Sequence, residues 1–208
     1  MTLLYLVRHG ETDWNLARRV QGSTDIPLNA MGRSQAHATG RLLASREWDV
    51  IIASPLSRAF ETATIIAGEL ALGEVTPNAA FMERHYGAAE GLDHDAIDSR
   101  FPGDTPVPGR ESRDEVTARV LPALMDVAEA HRGRSILVVS HGGVIRSVLN
   151  AVDPHGAHGS IRNGSVHSFR YVDGEFQLIA FDDPIEDESL DVATDELEVQ
   201  NALESRTG

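Results

Sequence analysis

Apolar residues in this chain fall into short unbroken runs separated by longer stretches of mixed polarity. Leu3-Leu4-Tyr5-Leu6-Val7, Val50-Ile51-Ile52-Ala53 and Ile136-Leu137-Val138-Val139 carry no polar interruption, the pattern of strands buried on both faces of a sheet. They predict strands over 2–8, 49–53 and 135–140, with a further short strand at 75–78. Between them the apolar spacing lengthens to that of helices. Asn29 can cap a helix over 30–45, and a helix over 57–70 carries Ala59, Ala63, Ile66 and Leu70 on one face. A long helix is predicted over 111–131, bent at Pro122, and another over 143–151. Residues 15–28 read as a loop with turn material from Gln21 to Pro27. Residues 82–110, rich in Gly, Pro, His and Asp, read as active-site loops with one short helix at 95–100. Two alternating runs, 166–172 and 175–181, are joined by Asp173-Gly174, a strong hairpin signal. Strand–helix alternation followed by a hairpin predicts an α/β fold: a doubly wound, mostly parallel sheet with helices on both faces and a hairpin at its edge.

At 208 residues the chain is long enough for one domain with a substantial core, assigned to 1–181, followed by an acidic tail over 182–208. The tail holds ten acidic residues against Arg206 alone, so it carries −9 of the net charge of −14. Such charge density is that of a mobile or surface-docked segment, with a homodimer contact or a lid as the alternative role. The acidic balance argues against nucleic acid or an anionic membrane as partner. No apolar run approaches the ~20 residues that span a bilayer, and the N-terminus is already strand, so the expected location is cytoplasmic. The absence of cysteine removes disulfides, thiolate nucleophiles and zinc–sulfur sites. All 18 basic residues are arginine, which removes Walker-type phosphate loops and Schiff-base lysines.

Two of the buried strands end in the same dipeptide. Arg8-His9-Gly10-Glu11 follows the first, and His141-Gly142-Gly143 follows the run ending at Ser140. Parallel α/β sheets place their chemistry at the C-terminal strand ends. If the two strands are neighbours, two imidazoles meet beside Arg8 and the amides of the following helix starts, which makes an anion site suited to phosphate. Arg58, at the start of the helix after the second strand, can join it; its bland alternative is a surface ion pair with Glu61. In phosphoryl transfer such a site needs an in-line nucleophile, cationic donors and an acid for the leaving oxygen. His9 is the expected nucleophile, its ring kept neutral by Arg8, Arg58 and a protonated or donating His141, and oriented by a backbone carbonyl near Gly10.

The chain resembles the histidine phosphatase superfamily, also called the phosphoglycerate mutase-like family. The likeness rests on Leu6-Val7-Arg8-His9-Gly10-Glu11-Thr12-Asp13-Trp14-Asn15, Ser54-Pro55-Leu56-Ser57-Arg58-Ala59-Phe60-Glu61-Thr62-Ala63, Glu83-Arg84-His85-Tyr86-Gly87 and Ser140-His141-Gly142-Gly143, in the family's order. The resemblance implies a phosphohistidine intermediate and places the general acid at Glu83, with Glu90 as its rival. It gives Asn15 a phosphate contact, beside a plain turn-capping role. It puts Gln21, Gly22, Ser23 and Thr24 in the substrate loop and Gly142 at the phosphate. The implied chemistry needs no metal and no cofactor, because arginines and histidines supply the positive charge. His155 and His158 near Asp153, and Asp93-His94-Asp95, have loose metal-like spacing but read as solvated loops.

Family mutases usually carry an insertion after the acid, a lysine after its Tyr-Gly segment and a following arginine pair. Here Glu111 follows Glu83 by 28 residues, Asp93-His94 stands where the lysine is expected, and no Arg-Arg pair intervenes. The expected activity is therefore hydrolysis of small phosphorylated metabolites, with a 2,3-bisphosphoglycerate-dependent mutase as the alternative. A non-catalytic binding module would lack the nucleophile or the acid. A serine esterase would need Gly-x-Ser-x-Gly and a dinucleotide enzyme Gly-x-Gly-x-x-Gly, and neither occurs.

Overall fold

The computed structural model describes residues 1–183. The acidic tail beyond Asp183 lies outside the described residues, and with it the expectation of a mobile segment, lid or dimer contact.

Six strands form one sheet in the order β3-β2-β4-β1-β5-β6: β1 (Thr2–Arg8), β2 (Val50–Ala53), β3 (Thr76–Pro77), β4 (Ser135–Ser140), β5 (Val166–Val172) and β6 (Glu175–Ala180). The first four are parallel, and the β5–β6 hairpin runs antiparallel along β1. Because side chains alternate across a strand, each central strand feeds two cores. Leu4, Leu6, Ile136 and Val138 point to one face, against α5 (Arg113–Ala130) and α6 (Gly142–Val152). Tyr5, Val7, Leu137 and Val139 point to the other, against α2 (Ala30–Leu43) and α3 (Ser57–Glu69). Full burial on both faces is why these runs tolerate no polar residue. Each such side chain contributes roughly 1.5–3 kcal/mol relative to exposure. The doubly wound sheet with helices on both faces and an edge hairpin is thus the observed architecture.

Three local differences matter. Asn15 and Leu16, expected as the start of a loop, belong to α1 (Asp13–Leu16), because Thr12 and Asn15 make a reciprocal capping box. The long helix begins at Arg113 rather than Glu111, since Ser112 and Glu115 make a second capping box and Glu111 turns to pair with Arg119 at 2.7 Å. Pro122 lies inside that helix. The short helix α4 (His94–Arg100) is capped by Asp93. No helix among the described residues is long and apolar enough to cross a membrane.

Where β1 leaves the sheet, two backbones touch. A Cβ on Gly10 would lie 2.3 Å from the Gly32 carbonyl oxygen, and one on Gly32 would lie 2.1 Å from that of Glu11. Backbone cannot move aside as a side chain can, so glycine at both positions lets α2 press against the turn that carries His9.

Candidate active site

Strand register brings the separated motifs together. Arg8 pairs with Ser140, and Ala53 with Val139, so His9, Ser54 and His141 leave three adjacent strands at one edge. The His9 amide continues the ladder to the Ser140 carbonyl at 3.0 Å. The two imidazole centroids are 5.1 Å apart, their planes tilted by 60°. A cavity of about 50 Å³ opens here, walled by Arg8, His9, Arg58 and Glu83 at its polar end and by Trp14 and Tyr86 at its apolar side.

His9 Nδ1 donates to its neighbour's carbonyl, Gly10 O, at 2.6 Å, as expected from sequence. That bond fixes the tautomer and leaves Nε2 with a lone pair. Burial holds the ring well below the usual histidine range, and the charges of Arg58 and Arg8 push it further; the Gly10 bond works weakly the other way. Arg58 is fully buried, so the surface pair with Glu61 is not made; Glu61 pairs with Arg33. Its guanidinium is anchored by the Gly22 carbonyl at 2.7 Å and the Thr24 carbonyl at 2.9 Å. Burial lowers it to about 10, which leaves it charged at neutral pH. Arg8 Nη1 donates to the Ile161 carbonyl at 2.7 Å.

Of the two states expected for His141, protonated or donating, the first is disfavoured: burial, reinforced by Arg58, His9 and Arg8, holds the ring well below the usual range. Its Nε2 meets the Ser54 hydroxyl at 2.8 Å, while Nδ1 is buried without a partner among the described residues. The helix amides also differ from expectation, because protein groups already occupy them. Gly143 N and Val144 N donate to the Glu83 carboxylate at 3.1 and 3.2 Å, Gly10 N to Thr62 Oγ1 and Glu11 N to Gln35 Oε1. Ser57 N, at the start of α3, donates to Asp25. The Gly10, Glu11, Ser57, Gly143 and Val144 amides are thus engaged by protein groups, and the Arg8 and Arg58 side chains stand in the pocket wall. Glu83 accepts a third bond from the Arg84 amide at 2.8 Å, so both its oxygens are fixed in the pocket wall.

Asn15 caps the turn after Thr12 and also lines the pocket. Its Oδ1 accepts from Thr12 N at 3.1 Å and from Asn163 Nδ2 at 3.4 Å, while its Nδ2 has no partner among the described residues. Gln21 and Gly22 line the pocket too. Ser23 and Thr24 do not. Their amides and hydroxyls donate to Glu90, and Tyr86 N adds another bond. Burial alone would raise the Glu90 carboxyl, but these donors outweigh it and hold it below the usual range. Glu90 is thus a scaffold for the loop, poorly suited to give up a proton. Gly142 is buried in the first turn of α6 and is not a wall of the pocket.

Sequence reasoning missed Asn163. Its side-chain amide donates to the His9 carbonyl at 2.9 Å as well as reaching Asn15, so one residue ties nucleophile to phosphate-contact candidate. It also missed Tyr86, Arg18 and Arg19 as pocket walls. His158 is not a solvated loop residue: its side chain is buried, lies near Asp153 at 3.3 Å and packs its ring on Phe181. Among the described residues no three His, Cys, Asp or Glu are grouped to hold a metal ion.

Residues 4–184 match the family model of the histidine phosphatase superfamily (branch 1). The uncharacterized phosphatase PhoE of Bacillus subtilis is 39% identical over 181 residues, covering 86% of this chain and 93% of that protein. A 2,3-bisphosphoglycerate-dependent phosphoglycerate mutase of Gloeobacter violaceus is 34% identical over 167 residues, 74% of this chain and 76% of that one. Among solved structures, a mycobacterial glucosyl-3-phosphoglycerate phosphatase in complex with VO3 superimposes with a TM-score of 0.79 at 30% identity, covering 86% of this chain and 98% of that one.

Proposed function

The chain belongs to the histidine phosphatase superfamily, and on that premise we propose that it hydrolyses small phosphorylated metabolites, without a metal, through a phosphohistidine on His9. The observation that carries the reading is the His9 ring, held at Nδ1 by Gly10 O, kept well below the usual histidine range by burial and by the charges of Arg58 and Arg8, and lining one pocket with both guanidiniums. A buried neutral imidazole is nucleophilic near pH 7, and the cations that suppress its protonation also attract the phosphate.

In the first step Nε2 attacks phosphorus in line with the leaving oxygen. Arg8, Arg58 and Asn15 Nδ2 take the equatorial oxygens. With Ser54 donating its hydroxyl proton to Nε2 of His141, that ring carries its hydrogen on Nδ1 and adds a further donor. Protonated Glu83 gives its proton to the departing alkoxide as the P–O bond breaks. In the second step the Glu83 carboxylate takes a proton from an attacking water, the P–N bond breaks, and its electron pair returns to Nε2. Phosphate then leaves.

Hydrolysis is favoured over transfer by the segment between Glu83 and Glu111. Where a mutase lysine is expected, Asp93 caps α4 and His94 lies 3.7 Å from Asp98. Arg84, Arg100 and Arg110 are scattered through the segment rather than paired. The mutase relatives and the Arg84-His85-Tyr86-Gly87 motif support transfer as the second reading. The deciding assay supplies 3-phosphoglycerate with and without 2,3-bisphosphoglycerate and follows 2-phosphoglycerate and free phosphate together. Phosphate release independent of the bisphosphate is expected; bisphosphate-dependent 2-phosphoglycerate formation outrunning it would overturn the hydrolase reading.

A further inference from the structure

A second cavity, of about 300 Å³, shares no lining residue with the catalytic pocket. Its walls combine Arg84 and Arg110 with an apolar surface of Ile97, Phe101 and Val107, part of the cluster built around Tyr86. Arg84 is the unusual member. The residue is only 2% exposed, yet of its guanidinium nitrogens only Nε has a hydrogen-bond partner among the described residues, the Glu111 carbonyl at 2.6 Å. The Nη donors thus have no protein acceptor among the described residues, and they are not sealed from solvent, so they remain open to an acceptor where Arg84 lines the cavity.

The nearby carboxylates do not supply the missing acceptors. Glu111 is taken by Arg119, at 2.7 and 3.0 Å, and by the His85 amide at 3.1 Å. Glu115 is held in the Ser112 capping box. Asp104 stands in the wall as an exposed residue and makes no hydrogen bond to Arg84. A planar fork of donors beside an apolar wall matches an oxyanion joined to a compact hydrocarbon body.

We propose that this cavity binds a small organic anion, its carboxylate or comparable oxyanion on the Arg84 Nη donors and its apolar body against Ile97, Phe101 and Val107. The site adjoins the chemistry without belonging to it. Arg84 and Arg110 lie over the Tyr86 ring at 5.5 and 5.7 Å, and Tyr86 walls the catalytic pocket. The Arg84 amide also holds Glu83.

The test uses the full chain with its catalytic pocket saturated by vanadate, and titrates phenylacetate, acetate and benzyl alcohol by calorimetry, with the arginine Nε resonances followed by NMR. Phenylacetate should bind at least about 10-fold more tightly than either half-molecule, the order expected when a charge-assisted hydrogen bond or an apolar contact is lost, and should move the Arg84 signal with or without vanadate. Arg84→Gln should weaken it about 10-fold or more, and Val107→Trp, which fills the cavity, should abolish it. Should Arg84→Gln fail to fold, Val107→Trp decides alone. Equal affinity for all three probes, loss of binding when vanadate is present, or binding unchanged in Val107→Trp would overturn the proposal. Binding is read directly, so the result is independent of whether the catalytic pocket hydrolyses or transfers phosphate.

Discussion

Gly143→Ala separates what the His-Gly-Gly turn does for stability from what it does for chemistry. Gly143 lies in the first turns of α6, where alanine is intrinsically better than glycine by roughly 0.5–1 kcal/mol. The added Cβ, however, would lie 2.6 Å from Glu83 Oε1, where ordinary contact begins near 3.4 Å, so the carboxylate must move by nearly 1 Å. The obstructing atom is the far end of a side chain, and it can yield. Doing so weakens the bonds from Val144 N and Arg84 N, each worth about 1–2 kcal/mol. The helix gain offsets part of this, so the variant should remain folded with a net loss of about 1–2 kcal/mol. Activity should suffer far more, since a misplacement of ~1 Å commonly costs about 10²-fold in rate. The assay compares kcat/KM for an alkyl phosphate, which needs its leaving oxygen protonated, with that for nitrophenyl phosphate, which needs this less. A loss of about 10² for the alkyl ester and several-fold less for the aryl ester is expected. Wild-type rates on both, or equal losses on both where phosphorylation limits the rate, would refute the placement of the acid.

Asn163→Ala should lower kcat by about 10-fold or more with a smaller change in KM, because it frees the His9 carbonyl and Asn15 rather than removing a phosphate donor; an unchanged kcat would make Asn163 merely structural. Stability should fall as pH drops below 6.5. His9, His141 and His167 are held neutral when folded, His167 at about 3 through burial, so only the unfolded chain takes up their protons. Each contributes a slope of about 1.4 kcal/mol per pH unit between its unfolded and folded values, and urea midpoints independent of pH from 7 to 5 would contradict this. Vanadate should inhibit and chelators should not, with initial rates as the readout; an enzyme inactivated by chelator and revived by zinc or magnesium would contradict cation supply by Arg8 and Arg58.

The sheet and its two histidines are legible in the chain because burial on both faces leaves short unbroken apolar runs. Unbroken runs from Leu3 and from Ile136 each deliver a His-Gly, and register brings them together. What stays hidden depends on pairing across distance. Asn163 sits in an ordinary turn, Arg162-Asn163-Gly164, and acquires meaning only from the His9 carbonyl 154 positions away. Helix α1 is missed because its capping box uses Asn15 where glutamate or glutamine is the usual signal. The chain shows that helix starts follow His9 and His141, but not that Gln35, Thr62 and Glu83 would already hold their amides. The resemblance puts the acid at Glu83 with Glu90 as its rival, and packing separates them: Glu90 accepts from Ser23, Thr24 and Tyr86 and is not a wall of the pocket, whereas Glu83, itself held by three backbone amides, lines it.

The claim on which the account rests is that phosphate passes through His9 Nε2. Mixing the protein with a ³²P-labelled phosphomonoester, quenching in alkali within milliseconds and digesting should yield label that is alkali-stable and acid-labile, as a phosphoramidate is, on the peptide containing Arg8-His9-Gly10. His9→Ala should carry no label and lose roughly 10² to 10⁴ or more in turnover. Label on another residue, or a folded His9→Ala variant that hydrolyses at the wild-type rate, would contradict the account.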